Sequence, residues 1–179
     1  VGGGIVGLAT AYQLLCRGVK QVTVIEKATE VAAHQTGHNS GVLHSGLYYD
    51  PTSLKAQIAR RGKEAMETFC KHEGVPHEIC GKVVVATNEA ELPALARIEE
   101  RAKANGVPVE RLDGARLHEL EPEAAGVSAL FVASTGIVDF RAVCHKLVER
   151  ITAMGGHVRI HPQLLSTTRY PRATVVETN

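Results

Sequence analysis

Several features that mark particular classes of protein are scarce or absent in this sequence of 179 residues. Its 20 Lys and Arg residues are nearly balanced by 19 Asp and Glu residues, whereas a nucleic-acid-binding surface needs a clear basic excess. No apolar run approaches the ~20 residues of a transmembrane helix, although a small apolar or basic patch would suffice for peripheral membrane contact. We therefore expect no nucleic-acid partner and no membrane span.

The cysteines also exclude some classes. The chain has four of them, Cys16, Cys70, Cys80 and Cys144, and none forms a CxxC pair. This spacing disfavours a zinc ribbon or a disulfide framework and indicates a reducing compartment. Because the remaining composition is that of an ordinary globular protein, we expect a cytoplasmic location.

Helical and strand patterns alternate along the chain. They predict helices at 5–17, 53–72, 89–105, 114–120 and 140–154, and strands at 21–27, 81–87, 129–134 and 157–161, with two more strands joined at Pro171. The alternation predicts an α/β fold with a parallel sheet, and a change of rhythm over 75–135 indicates a second, inserted domain. Because residue 1 falls where a first strand should be ending, and ATVVETN ends the chain like an interrupted strand, we expect a fragment truncated at both ends.

The sequence opens with GGGIVG, a G-x-G-x-x-G pattern at the start of a predicted helix. Gly2 permits a tight turn, Gly4 lets the backbone approach a pyrophosphate, and Gly7 lets the helix pack closely on a strand. The free N–H groups there, including those of Ile5 and Val6, suit a diphosphate. This pattern predicts a dinucleotide-binding site.

The predicted strand QVTVIE ends at Glu26, followed by Lys27. An acidic residue at that point of the fingerprint accepts hydrogen bonds from a ribose diol and disfavours the 2′-phosphate of NADP. The fingerprint alone does not separate FAD from NAD.

The next segment, HQTGHNSGVLHSGLYY at 34–49, is polar, glycine-rich and dense in histidine. A plain NAD-binding unit would run straight on into a crossover helix, so this loop favours FAD. His34 and His38 are four residues apart with His44 nearby, but Gly37 and Gly41 weaken the regular helix that a metal-binding HxxxH pair normally needs. We therefore expect no metal site.

Together, GGGIVG, Glu26-Lys27, the 34–49 block and SLKA resemble the L-2-hydroxyglutarate dehydrogenase/oxidase group of the D-amino-acid oxidase (glycine oxidase-like) flavoprotein superfamily. The resemblance continues through CGKVVVAT, LHELEP and GIVDFRAV, so it covers almost the whole chain. It implies a Rossmann-like, three-layer FAD-binding domain with part of an inserted α+β substrate domain. The implied boundaries are 1–74 for the first FAD-binding part, 75–135 for the substrate-domain segment and 136–179 for the return.

The resemblance implies FAD-dependent oxidation of the C2 alcohol of L-2-hydroxyglutarate to 2-oxoglutarate, although the fragment alone should be inactive. His44 is the candidate for the active-site base, since its ordinary pKa near neutrality suits proton abstraction, or for a polar group that faces the flavin. Tyr48 and Tyr49 are candidates for the substrate entrance, with simple packing roles equally open. Lys55 and Arg60 could attract the acidic substrate, but we favour the interpretation that they are solvated charges on the surface of a helix. The residues implied to contact FAD beyond the glycine turn are Thr36, Gly37, His38, Asn39, Ser40, Gly41 and Val42.

The expected partners are a small 2-hydroxyacid substrate and an electron acceptor, which is oxygen or a quinone or other component of a membrane electron-transfer chain. The second case implies a peripheral position on the inner membrane, mitochondrial in a eukaryote. Oxidation of an amino acid or of glycerol 3-phosphate by another superfamily member stays open, as does a non-catalytic nucleotide-binding fragment.

Overall fold

A computed structural model describes all residues, 1–179, and divides the chain into two compact units. The first unit is formed by Val1–Ser40 together with Asp139–Asn179, and the second is Gly41–Val138. The sequence places the first boundary later, at 74/75, and the second at 135/136. The structure therefore groups residues 41–74 with the inserted segment, while the assignment of functions to the domains stays a prediction.

The chain forms five α-helices and ten strands. The helices are α1 (Ile5–Cys16), α2 (Leu54–Glu73), α3 (Leu92–Ala104), α4 (Gly114–Leu120) and α5 (Phe140–Ala153). The strands are β1 (Thr23–Glu26), β2 (Val42–Leu43), β3 (His77–Glu78), β4 (Val83–Ala86), β5 (Glu110–Asp113), β6 (Ser128–Phe131), β7 (Gly136–Val138), β8 (His157–Ile160), β9 (Leu164–Arg169) and β10 (Thr174–Thr178). Single 3₁₀ turns lie at Gln35–Gly37 and Glu89–Glu91. None of the helices combines the length and the apolarity that crossing a bilayer requires.

The first unit contains the predicted α/β arrangement. Strand β1 pairs in parallel with β8, and α1 packs against α5. Gly18, with φ of +85°, follows the last turn of α1 and allows the chain to reverse into β1. Strands β9 and β10 form a separate antiparallel hairpin, which confirms the two strands expected on either side of Pro171.

The core of the first unit lies between its helices and the parallel pair. Leu8, Leu15, Val143, Leu147 and Ile151 are buried there at helical spacing. Burial of such side chains is worth roughly 1.5–3 kcal/mol each, so this packing fixes the position of the glycine-rich start of α1.

The second unit contains two antiparallel sheets, with strand orders β2-β7-β3 and β4-β6-β5. Helix α3 packs on β4 and β6, and Leu95, Leu130 and Ala102 are buried between these elements. The α+β character predicted for the inserted segment is confirmed.

The structure confirms all five predicted helices, including two caps. Ser53 accepts a hydrogen bond from the Ala56 N–H, and Asp139 accepts hydrogen bonds from the Arg141 and Ala142 N–H groups. The sequence analysis did not find β2, β3, β5 and β7, since strands of two to four residues are defined by their partners and carry little periodicity of their own.

Candidate functional site

In the first unit, the glycine turn and the start of α1 form a surface of backbone N–H groups. The N-cap residue Gly4 has no side chain to cap the helix, and the first turn contains no acidic residue. Gly2 has φ of +102°, a conformation that side chains disfavour. A helix start of this kind, with its positive dipole end unneutralised, suits an anion.

A cleft of about 560 Å³ lies at this turn. Its lining includes Gly2, Gly4, Ile5, Val6 and Gly7, which are the predicted cofactor-binding residues of the fingerprint. A Cβ added to Gly4 would lie 3.1 Å from Thr36 Oγ1, so the close approach of these segments depends on glycine.

Glu26, at the end of β1, holds the glycine turn in place. The carboxylate is buried, with 7% of the residue exposed, and it accepts hydrogen bonds from the Gly3 N–H at 2.6 Å and the Ala28 N–H at 2.8 Å. Burial raises the pKa of Glu26, but these backbone hydrogen bonds outweigh it and hold the pKa below the usual value. The carboxylate is therefore ionised at neutral pH, and its remaining lone pairs can accept ribose hydroxyls.

Substitution of Glu26 by glutamine should destabilise the protein by about 1–3 kcal/mol at neutral pH, because an amide N–H₂ would face a backbone N–H. Since the folded-state pKa is lowered, the contribution of the ionised carboxylate is fully present above the unfolded-state pKa and is lost as pH falls through the folded-state value. Thermal unfolding of the wild type and Glu26→Gln, followed against pH, should therefore show a gap that closes in acid. Glu123→Gln, at an exposed position, should show no gap, and a Glu26→Gln gap that persists in acid would contradict this account.

The 3₁₀ turn at Gln35–Gly37 brings Thr36 to the start of α1. The hydroxyl of Thr36 accepts the Ile5 N–H at 3.1 Å, and Asn39 Nδ2 donates to the Thr36 carbonyl at 2.5 Å. His38, Asn39 and Ser40 are exposed beyond this turn, and His38 Nδ1 lies 2.9 Å from the carbonyl oxygen of His34. Thr36 is thus joined to the glycine turn, whereas Lys27, which follows β1, is exposed.

Arg141, in the first turn of α5, supports the same 3₁₀ turn. Its Nε donates to the Gly37 carbonyl at 3.5 Å, and its Nη1 pairs with Glu30 at 3.3 Å. A Cβ added to Gly37 would lie 2.6 Å from that Nε. No sequence pattern indicates this role of Arg141, because the two residues are 104 positions apart.

The groups on the first unit fit a dinucleotide such as FAD. The N–H groups of Gly3 and Ile5 already donate to Glu26 and Thr36. Those of Gly4 and Val6 remain as donors to a diphosphate, and ionised Glu26 offers acceptors to a ribose. A side chain at Gly4 would fill the space that a diphosphate needs. The N–H donors are thus complementary to the diphosphate of the cofactor, and the Glu26 carboxylate is complementary to its ribose.

In the second unit, Gly41 and Val42 lead into His44. Gly41 has φ of +68°, its carbonyl accepts the Val138 N–H at 2.8 Å, and Val42 pairs with Ile137 in the β2–β7 ladder. His44 follows β2 and is exposed overall. Partial burial of the ring lowers the pKa of His44, and the positive charge of Lys82 lowers it further. The imidazole is therefore neutral at physiological pH and can accept a proton.

Two tyrosines close to His44 in sequence each hold a lysine. Lys82 Nζ lies 4.5 Å from the ring centroid of Tyr48, and Lys55 Nζ lies 4.5 Å from that of Tyr49. The backbone of residues 46–49, which includes both tyrosines, is fixed by Asn105. Its Nδ2 donates to the carbonyls of Gly46 at 3.1 Å and Tyr49 at 2.9 Å.

Lys82 and Asn105 are absent from the site predicted by sequence. Lys82 precedes a buried strand and Asn105 ends a helix, which are ordinary places for solvated polar residues. Tertiary packing brings them to the segment 44–49, so no local signal identifies them.

Comparison with known proteins identifies the family and the relatives of this chain. The model of the family described as FAD dependent oxidoreductase matches residues 1–179. Among curated proteins, the chain is 40% identical over 180 residues to an L-2-hydroxyglutarate dehydrogenase of Salmonella houtenae, covering 100% of this chain and 43% of that protein. It is 42% identical over 160 residues to the mitochondrial L-2-hydroxyglutarate dehydrogenase of Homo sapiens, covering 88% of this chain and 35% of that protein.

Among solved structures, the chain is similar to dithionite-reduced L-alpha-glycerophosphate oxidase from Mycoplasma pneumoniae with FAD bound, with a TM-score of 0.91 and 26% identity. The match covers 99% of this chain and 48% of that structure. The chain thus spans less than half the length of these three proteins, and the match extends over both of its units.

Proposed function

The chain belongs to the FAD dependent oxidoreductase family, and on that premise we propose that it carries the cofactor-binding part of an enzyme that oxidises L-2-hydroxyglutarate to 2-oxoglutarate. The observation that carries this proposal is the similarity to L-2-hydroxyglutarate dehydrogenases from bacteria and animals, which extends over most or all of the chain. The donor set around the glycine turn and the neutral imidazole of His44 are consistent with that chemistry.

In this proposal the first unit holds FAD. The N–H groups at the start of α1 bind the diphosphate, and Glu26 accepts the ribose hydroxyls. Thr36, Gly37, His38, Asn39 and Ser40, with Gly41 and Val42 beyond them, contact the remainder of the cofactor. FAD, when bound, supplies an acceptor for the two electrons and the hydrogen that leave C2 of the substrate.

His44 accepts the proton of the C2 hydroxyl on a ring nitrogen as the carbonyl forms. Because the pKa of His44 is lowered, the ring is unprotonated at neutral pH and needs no prior deprotonation. Tyr48 and Tyr49 line the approach to this base. We further propose that the electrons pass on to oxygen or to a quinone of a membrane chain, the latter at a membrane surface, mitochondrial in a eukaryote.

A steady-state assay with an artificial electron acceptor tests the proposed substrate. The protein expressed from its complete coding sequence should convert L-2-hydroxyglutarate to 2-oxoglutarate, with little turnover of the D-isomer, glycine or D-alanine. Glycerol 3-phosphate belongs in the panel, because the similar solved structure is that of a glycerophosphate oxidase. Preferential turnover of glycerol 3-phosphate or of an amino acid would overturn the substrate assignment, and a protein that binds FAD but oxidises none of these compounds would favour a non-catalytic module.

A further inference from the structure

Lys82 is a cation without an acidic partner. Its Nζ donates to the Tyr48 hydroxyl at 3.4 Å and lies over the same ring, but Lys82 takes part in none of the ion pairs of the chain. The residue is half-buried, whereas the contact of its Nζ with Tyr48 is exposed, so the ammonium is accessible to a ligand. Such a group can gain from an anionic ligand.

The backbone that carries Lys82 is fixed. Lys82 N–H donates to the Val132 carbonyl at 3.2 Å, and Val132 N–H donates back at 2.8 Å. The preceding Gly81 has φ of +78°, and a Cβ there would lie 2.6 Å from the ring of Phe131. Because backbone and ring contacts set the position of Lys82, little ordering is needed when a ligand binds.

The charge of Lys82 affects the pKa of His44, the candidate base. Partial burial is the larger cause of the lowered pKa of His44, and the charge of Lys82 is the other. Geometry places Lys82 beside the same segment, because its ammonium contacts Tyr48, which follows His44 by four residues in the chain.

We propose that the Lys82 ammonium, held against Tyr48 beside His44, binds a carboxylate of the substrate and makes the site selective for 2-hydroxy acids over uncharged alcohols. The inference rests on the proposed function, in which the substrate is a dicarboxylate. A single ammonium binds one carboxylate by charge-assisted hydrogen bonds, and Tyr48 keeps it from turning into solvent.

Calorimetric binding of glutarate, a dicarboxylate that lacks the oxidisable hydroxyl, tests the inference without turnover. With the complete protein, Lys82→Met should weaken glutarate binding by about 10- to 100-fold, the effect of losing a charge-assisted bond. Lys82→Arg retains the charge and should recover most of the affinity. Lys55→Met is the matched control, because Lys55 lies over Tyr49 at the same 4.5 Å, and its glutarate affinity should stay within about twofold, as for a solvated surface charge.

Equal weakening by Lys82→Met and Lys55→Met would overturn the inference, since it would show a general loss of positive charge. Unchanged affinity in Lys82→Met, or no glutarate binding by the wild type, would also overturn it. Wild-type protein that binds glutarate through Lys82 but does not oxidise L-2-hydroxyglutarate would support the carboxylate site and refute the proposed function. Unfolding temperature and flavin content, measured for each variant, distinguish a local effect from misfolding.

Kinetics with two substrates show which carboxylate of the substrate, C1 or C5, Lys82 binds. At alkaline pH, where the imidazole is neutral in every variant, Lys82→Met should raise the KM for L-2-hydroxyglutarate far more than it lowers kcat. If Lys82 binds the C5 carboxylate, kcat/KM for L-2-hydroxybutyrate, which lacks that group, should not change. If it binds the C1 carboxylate, kcat/KM should fall for both substrates, and no change for either would contradict the inference.

Discussion

Replacing Gly7 with alanine is expected to abolish FAD binding and to destabilise the first unit severely. The added Cβ would overlap the carbonyl oxygen of Gly2, and that oxygen belongs to the backbone of the tight turn. Relief therefore requires movement of the turn or of α1, which would remove the N–H groups from the diphosphate position. We expect the free energy of unfolding to fall by about 2–4 kcal/mol, in the range of the larger effects of overpacking.

The measurement is flavin content after reconstitution, together with the unfolding temperature of the flavin-free protein. Gly62→Ala is the matched control, because Gly62 lies within α2 and an added Cβ would meet no atom within 4 Å. That change should be neutral or stabilising by up to about 1 kcal/mol, as for an exposed helical glycine. Gly7→Ala protein with normal flavin content would show that the turn does not have the proposed role.

The second large effect is expected for His44→Ala, which should slow flavin reduction by about 10²- to 10⁴-fold, the range for loss of a general base. Flavin should remain bound, because His44 is not among the residues proposed to hold the diphosphate and the ribose of FAD. Stopped-flow reduction by L-2-hydroxyglutarate measures the rate directly. His118→Ala, at an exposed position in α4, should leave the rate unchanged.

The pH dependence of kcat/KM gives an independent test of His44 as the base. Since only neutral imidazole accepts a proton, kcat/KM should rise with pH through the pKa of free-enzyme His44, which lies below the ordinary value. Lys82→Met removes a positive charge and should move this rising limb to higher pH. A His44→Ala enzyme that keeps the rate and the rising limb would exclude His44 as the base.

Local signals predicted those parts of the fold that depend on a few neighbouring residues. Ser53 and Asp139 were identifiable as caps because a cap acts on N–H groups two or three residues away. The glycine turn and Glu26 were predicted from a fixed spacing that reflects one strand, one turn and one helix. The structure places Glu26 against Gly3 as that spacing requires.

Contacts between distant segments could not be predicted in this way. Arg141 reaches Gly37 across 104 residues, and Lys82 reaches Tyr48 across 34. The first contact depends on the packing of α5 against the 3₁₀ turn at Gln35–Gly37, and both depend on tertiary packing that a local pattern does not record. The structure divides the chain at 40/41, whereas the sequence indicated a boundary at 74/75, because α2 looks like any helix until its packing partners are known.

The most direct test of the central claim is anaerobic addition of L-2-hydroxyglutarate to the complete, FAD-loaded protein while the visible flavin spectrum is followed. The account predicts rapid bleaching with one 2-oxoglutarate formed per flavin, and no bleaching with the D-isomer or with glycerol 3-phosphate. A yellow protein whose spectrum does not change with L-2-hydroxyglutarate would contradict the account.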